Sequence, residues 1–181
     1  MKTKLERYVI EAISRRSGAD VNYALALHAI SPAALKKVGS VNKLLYHRET
    51  VPVDAAYAAQ IVGSLAEGCG SCVQTHIDAA LNAGMSEDLI EAVLMGDKTS
   101  ASFDVALAMR FARAMTFRLE DEIGAREAVE REWGPKGVVD LTLATQVSRF
   151  LSMLKYGFGY ATECSKQRVG AREVFPRCED F

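Results

Sequence analysis

Proline is scarce in this sequence, with four residues among 181, at positions 32, 52, 135 and 176. So few prolines impose few obligatory breaks on helices. Asn-Gly and Asp-Gly turns are missing, as is any sustained alternation of β-branched residues, so neither hairpins nor an all-β fold is indicated. Charge of one sign is not in excess: 22 Lys and Arg face 23 Asp and Glu, for a net charge of -1. That removes the main electrostatic reason to expect nucleic acid or an anionic membrane surface as a partner. Long apolar runs are also lacking. Glu6, Arg7 and Glu11 interrupt the N-terminal stretch, which therefore does not read as a signal peptide. The richest apolar segment, Val53 to Ala66, falls short of the ~18–20 residues of a membrane span. No glycine-rich phosphate loop, HExxH or GxSxG pattern occurs. These absences lead to the expectation of a cytoplasmic protein without membrane or nucleic-acid partners.

What is present reads as helix. Hydrophobic residues make up 49% and charged residues 25%, the balance of a chain that can bury a core. Alanine and leucine dominate the periodic segments. Ser31-Pro32 has the form of an N-cap followed by proline at the first helical position, and Ser86 precedes acidic residues in a first turn. Gly18, Gly68, Gly84 and Gly96 each follow a helical pattern, as C-terminal glycines do. These signals predict helices near 3–17, 20–30, 32–46, 53–66, 70–83, 86–95, 102–118, 120–132 and 136–163, an all-α fold in one domain. Within it, 1–50 forms a helical extension, 51–165 the core, and 166–181 a docked or loose tail. Asp54–Ala66 and Leu141–Leu154 are apolar around most of their circumference, so either the chain wraps them or other subunits do. Trp133 reads as a packing anchor. Phe150, Met153, Tyr156, Phe158 and Tyr160 suggest core or a subunit interface, and could also line a pocket. Lys36, Lys37, Arg110, Arg113 and Arg118 read as solvated faces, and His28 and His47 as structural or surface histidines.

Chemistry concentrates in Glu67-Gly-Cys69-Gly-Ser-Cys72-Val-Gln-Thr-His76. At about 100° per residue, Cys69, Cys72 and His76 fall within an arc of about 60°, with Gln74, Asp78 and Asn82 opposite. Cysteines three apart can close a disulfide with little backbone movement. Gly68 and Gly70 suggest that a helix begins here, so its unsatisfied N–H groups and dipole would favour a thiolate, while burial would oppose it. His76 could accept or relay a thiol proton. Two plainer readings compete. The three residues could be ordinary core, or they could bind zinc. A closed zinc site wants four ligands, and the spare His28, His47, Cys164 and Cys178 show no paired spacing. No metal or cofactor is therefore expected, and redox chemistry is favoured.

The run from Ala58 to Val93, with its apolar helix, Gly-Cys-x-x-Cys-x-x-x-His, alanine-rich helix and Ala-Gly-Met-Ser turn, resembles alkyl hydroperoxidase D (AhpD)-like members of the carboxymuconolactone decarboxylase superfamily. The resemblance is best over about 52–96 and extends to 165 through the later helices. It implies an all-α fold, homo-oligomers and thiol-dependent reduction of a hydroperoxide or disulfide. It further implies that Cys72 attacks peroxide, Cys69 resolves, His76 relays the proton, and a dithiol such as a lipoyl-bearing protein recycles the pair. Two positions depart from the pattern: Tyr57 stands where the relay glutamate belongs, and Ser71 where histidine often precedes the second cysteine. Glu67 or Tyr57 is then the candidate relay residue. The other branch of the superfamily implies a decarboxylase acting on a small lactone or β-keto acid, and a non-enzymatic redox sensor is a third possibility.

Overall fold

A computed structural model describes residues 8–10, 12, 21–119 and 121–177. Most of the helix expected at 3–17, and Cys178, lie outside the described residues. Seven α-helices can be bounded: α1 (Asn22–Ile30), α2 (Pro32–Asn42), α3 (Val53–Ala66), α4 (Gly70–Asn82), α5 (Glu87–Leu94), α6 (Phe103–Phe117) and α7 (Glu122–Gly157). A 3-10 turn, Lys43–Tyr46, continues α2. The serine caps act as the sequence suggests. The hydroxyls of Ser31 and Ser86 accept the N–H of Ala34 and Leu89 at 3.3 Å, and Ser102 accepts that of Val105.

Helix α3 is the axis of the molecule. Ten of the eleven residues from Ala55 to Leu65, all but Tyr57, are buried. Helices α4, α5, α6 and α7 pack around it, so this apolar helix is wrapped by its own chain. Small residues let the helices approach. A Cβ at Gly63 would lie 2.6 Å from the Thr145 carbonyl oxygen of α7.

Two expectations need correction. The helices expected at 120–132 and 136–163 are present as the two halves of α7, separated by the non-helical Gly134 (φ 71°, ψ -177°), where Pro135 opens the second half. That half stops at Gly157, short of 163. Gly159 (φ 75°) takes the left-handed conformation, and the N–H groups of Gly159 and Tyr160 close back on the Tyr156 and Lys155 carbonyls. The tail is docked and contains β-structure: β1 (Gln167–Val169) and β2 (Arg172–Val174) pair antiparallel, Val169 opposite Arg172. Val169 and Val174 enter the core, Gln74 of α4 bonds both backbone groups of Arg168, and Arg172 meets Glu87, Asp88 and Glu91 of α5. Strands of three residues are too short to show a period in sequence.

The aromatic group after Phe150 is not core. Met153, Tyr156 and Phe158 are exposed, whereas Trp133 does pack against the core. Arg110 pairs with Asp121 on the surface at 2.5 Å, and Arg118 ends α6 in the left-handed region.

Candidate functional site

Cys69 is not on the helix it introduces. It is the N-cap of α4 in an extended conformation (φ -89°, ψ 92°), forms a one-residue antiparallel bridge with Glu163, and is fully buried. Cys72 lies one turn into α4, and the two sulfurs form a disulfide with Cα atoms 5.3 Å apart. The helix start is crowded by design of the sequence. A Cβ at Gly70 would lie 2.3 Å from the Glu163 carbonyl oxygen, so glycine lets the 162–163 segment pass.

That segment alters one expectation. The first N–H groups of α4 are not left over for a thiolate: Gly70 donates to the Thr162 carbonyl at 2.9 Å and Ser71 to the Thr162 hydroxyl at 2.8 Å. The N–H groups of Cys72 and Val73 both donate to the Cys69 carbonyl. The dipole of α4 still favours negative charge here, but its donors are spoken for.

Helix α4 has two working faces. Val73, Ile77 and Ala80 enter the core. Cys72, Thr75, His76, Ala79, Asn82 and Ala83 line a cavity of about 470 Å³. Cys72 and His76 sit where the faces meet, which is why both are nearly buried yet reach the cavity. Asn82, expected on the opposite side, is at the cavity; Gln74 and Asp78 do face away. From α3 come Tyr57 and Gln60. From the N-terminal extension come Val21, Tyr23, Asn42, Leu45 and Tyr46, and from α7 Leu151 and Lys155. Cys69 is absent from the lining.

Each candidate relay residue has a definite place. Tyr57 lies on the cavity wall; burial first, then neighbouring Tyr46, raise its phenol above the ordinary value, partly offset by Arg48. It stays protonated and is no base at neutral pH. Glu67 is drawn elsewhere, into an ion pair with Arg149 at 2.6 Å, and does not line the cavity. The His76 imidazole is pushed down to about 4 by burial and then by the nearby Lys155 charge, so it is neutral at pH 7.

Lys155 was not among the residues the sequence singled out. It is buried, its Nζ donates to Ser71 Oγ at 3.2 Å and lies 5.1 Å from the centre of the Tyr23 ring. A signal for it exists: Leu141, Ala144, Ser148, Ser152 and Lys155 recur at spacings of three and four, so Lys155 continues the inward stripe of α7. Gln60 was missed too. Its Nε2 holds the Leu45 carbonyl at 3.0 Å, and its buried Oε1 has no hydrogen-bond partner among the described residues.

His28 and His47 are away from this cavity; His47 lies 3.7 Å from Asp140 and 3.6 Å from Glu49. Cys164 packs against the core. Among the described residues no group of three or more His, Cys, Asp or Glu side chains is arranged to hold a metal ion. No helix among them is long and apolar enough to cross a membrane.

Residues 48–114, which hold α3, α4, the disulfide and His76, match the model of the carboxymuconolactone decarboxylase family. This segment belongs to that family. The match carries the superfamily that the Cys-x-x-Cys-x-x-x-His pattern resembles, and the all-α fold agrees with it. No curated protein and no solved structure matches the chain. The family segment supplies one side of the cavity; residues 21–46 and α7 supply the rest.

Proposed function

We propose that this protein is a thiol-dependent oxidoreductase that reduces a small hydroperoxide through the Cys69–Cys72 dithiol, with Cys72 attacking, Cys69 resolving and His76 handling the proton. The observation that carries the reading is the unequal access of a bonded cysteine pair: Cys72 opens onto a 470 Å³ cavity beside a neutral histidine, and Cys69 does not.

In the reduced protein His76 takes the Cys72 thiol proton. The thiolate attacks the distal oxygen of the hydroperoxide; an S–O bond forms, the O–O bond breaks, and the alkoxide leaves as an alcohol after protonation. Cys69 thiolate then attacks the Cys72 sulfenic sulfur, the S–S bond forms, and hydroxide departs as water. Two electrons have passed from the dithiol to the peroxide. An external dithiol, such as a lipoyl group, restores both thiols by exchange. A disulfide substrate would enter the same cycle at Cys72. Tyr57, on the cavity wall, supplies a hydrogen bond where a carboxylate relay would sit, and Glu67 takes no part. No metal or organic cofactor is needed, and assembly into a homo-oligomer in the cytoplasm is compatible with the reading.

The test is peroxide consumption by the full chain with a dithiol donor. Cys72→Ser is expected to lower the rate by at least about a hundredfold, in the range of losing an attacking nucleophile. Unchanged turnover in that variant would remove Cys72 from the mechanism. Decarboxylation of a lactone or β-keto acid that survives alkylation of both thiols would instead favour histidine acid–base chemistry. Absence of both activities, with a disulfide that still forms under mild peroxide, would indicate a redox sensor.

A further inference from the structure

Two sulfurs with unequal access create an electrostatic problem. An external thiolate that opens the disulfide must attack the accessible Cys72 sulfur. A new S–S bond forms there, the Cys69–Cys72 bond breaks, and its electron pair leaves on Cys69. The product is a thiolate at a residue with 0% exposure, a charge that burial strongly disfavours.

The charged and titratable groups near Cys69 can be taken in turn. Glu67 is bound to Arg149, the Tyr156 hydroxyl donates to the Gly68 carbonyl at 3.3 Å, and Glu163 meets Cys69 through backbone. His76 lines the cavity with Cys72, not Cys69. Ser71 and Lys155 are differently placed. Ser71 Oγ lies 3.7 Å from Cys69 Sγ and accepts a hydrogen bond from Lys155 Nζ at 3.2 Å. An ammonium group can only donate, and a disulfide sulfur can only accept. The hydroxyl proton of Ser71 is therefore directed at Cys69.

We infer that Ser71, backed by the buried ammonium of Lys155, stabilises the Cys69 thiolate each time the disulfide opens and poises it to attack when the disulfide closes. Ser71 touches the reacting sulfur; Lys155 is a positioning residue acting through it. The arrangement gives Cys69 what the α4 N–H groups do not, since Thr162 occupies them. The inference rests on the dithiol reading only in requiring that the bond opens and closes.

The experiment uses the full chain and no peroxide. Disulfide opening by dithiothreitol is followed in wild type, Ser71→Ala, Ser71→Thr and Lys155→Met. The Cys69 titration is read from thiolate absorbance in a Cys72→Ala background, with the Cys69→Ala, Cys72→Ala double variant subtracted. Ser71→Ala is expected to slow opening about tenfold and to raise the Cys69 midpoint by about one pH unit, with Ser71→Thr restoring both. Lys155→Met should reproduce the effect of Ser71→Ala. Unchanged opening and midpoint in a folded Ser71→Ala protein would overturn the inference. If Lys155→Met does not fold, the two Ser71 variants decide alone. A wild type inert towards peroxide would count against the peroxidase reading without touching this result.

Discussion

His76 keeps its imidazole neutral in a wall that also holds a lysine ammonium, and this has a measurable cost. With the folded value at about 4 and the ordinary value at 6.5, the unfolded chain binds the extra proton between those limits. Stability of the oxidised protein should therefore fall as pH drops from 7 to 4 and flatten below, a loss on the order of 3 kcal/mol from this group. Denaturant midpoints across that range check it, and His76→Gln should flatten the slope. A Cys72 thiolate in the same wall would draw the imidazole back up by opposite charge, so the reduced protein should show a shallower slope. Which residues were legible follows from the same local physics. Cysteines three apart and a histidine four further on are a pattern that spacing alone exposes. Lys155 was not, because a lysine at the end of a helix ordinarily complements the dipole in water. Glu67 misled because its partner, Arg149, is distant in sequence and nothing local announces the ion pair.

At the scale of elements, legibility tracked chemistry that is local. Serine caps, Pro32 at a first turn and the glycines at 68, 84 and 96 set the start of α2 and the borders of α3 to α6 within a residue or two, whereas the stretch expected to run to 46 leaves the α-helical form after Asn42. The β-hairpin was invisible because its strands are held by side chains of α4 and α5 rather than by their own pattern. The link between extension and core was equally hidden. Asp140 of α7 accepts the N–H groups of Glu49, Thr50 and Val51 at 2.9–3.2 Å, so one carboxylate oxygen pins the chain just before α3. Burial pushes that carboxyl up, but the bonds from Thr50, Glu49 and Val51 outweigh it and hold it below the ordinary range. Asp140→Ala removes the partner of three backbone donors, of which that of Val51 is buried, and should cost about 2 kcal/mol in urea unfolding. A change under about half a kcal/mol would show that water replaces the carboxylate easily.

Taken whole, the molecule joins a tightly packed family segment to a loosely held extension. Helix α2 has no buried residue, and α1 contributes only Ala24, Leu27 and His28 to the interior, whereas α3 is buried along nearly its full length. Hydrogen exchange should therefore be orders of magnitude faster at α2 amides than at α3 amides, because α2 can open without disturbing the core. Equal protection in the two helices would mean that cover comes from elsewhere, a second subunit being the first place to look.

The cavity inherits that division of labour. Its reactive wall is made by α3 and α4, and its opposite wall by Tyr23, Asn42, Leu45 and Tyr46 of the extension. Under the proposed reading, the part of the chain that would choose a guest is thus separate from the part that would transform it. Sequence drift in the extension could exchange one guest for another while the dithiol stays as it is, so two proteins with the same Cys-x-x-Cys-x-x-x-His helix need not share a substrate.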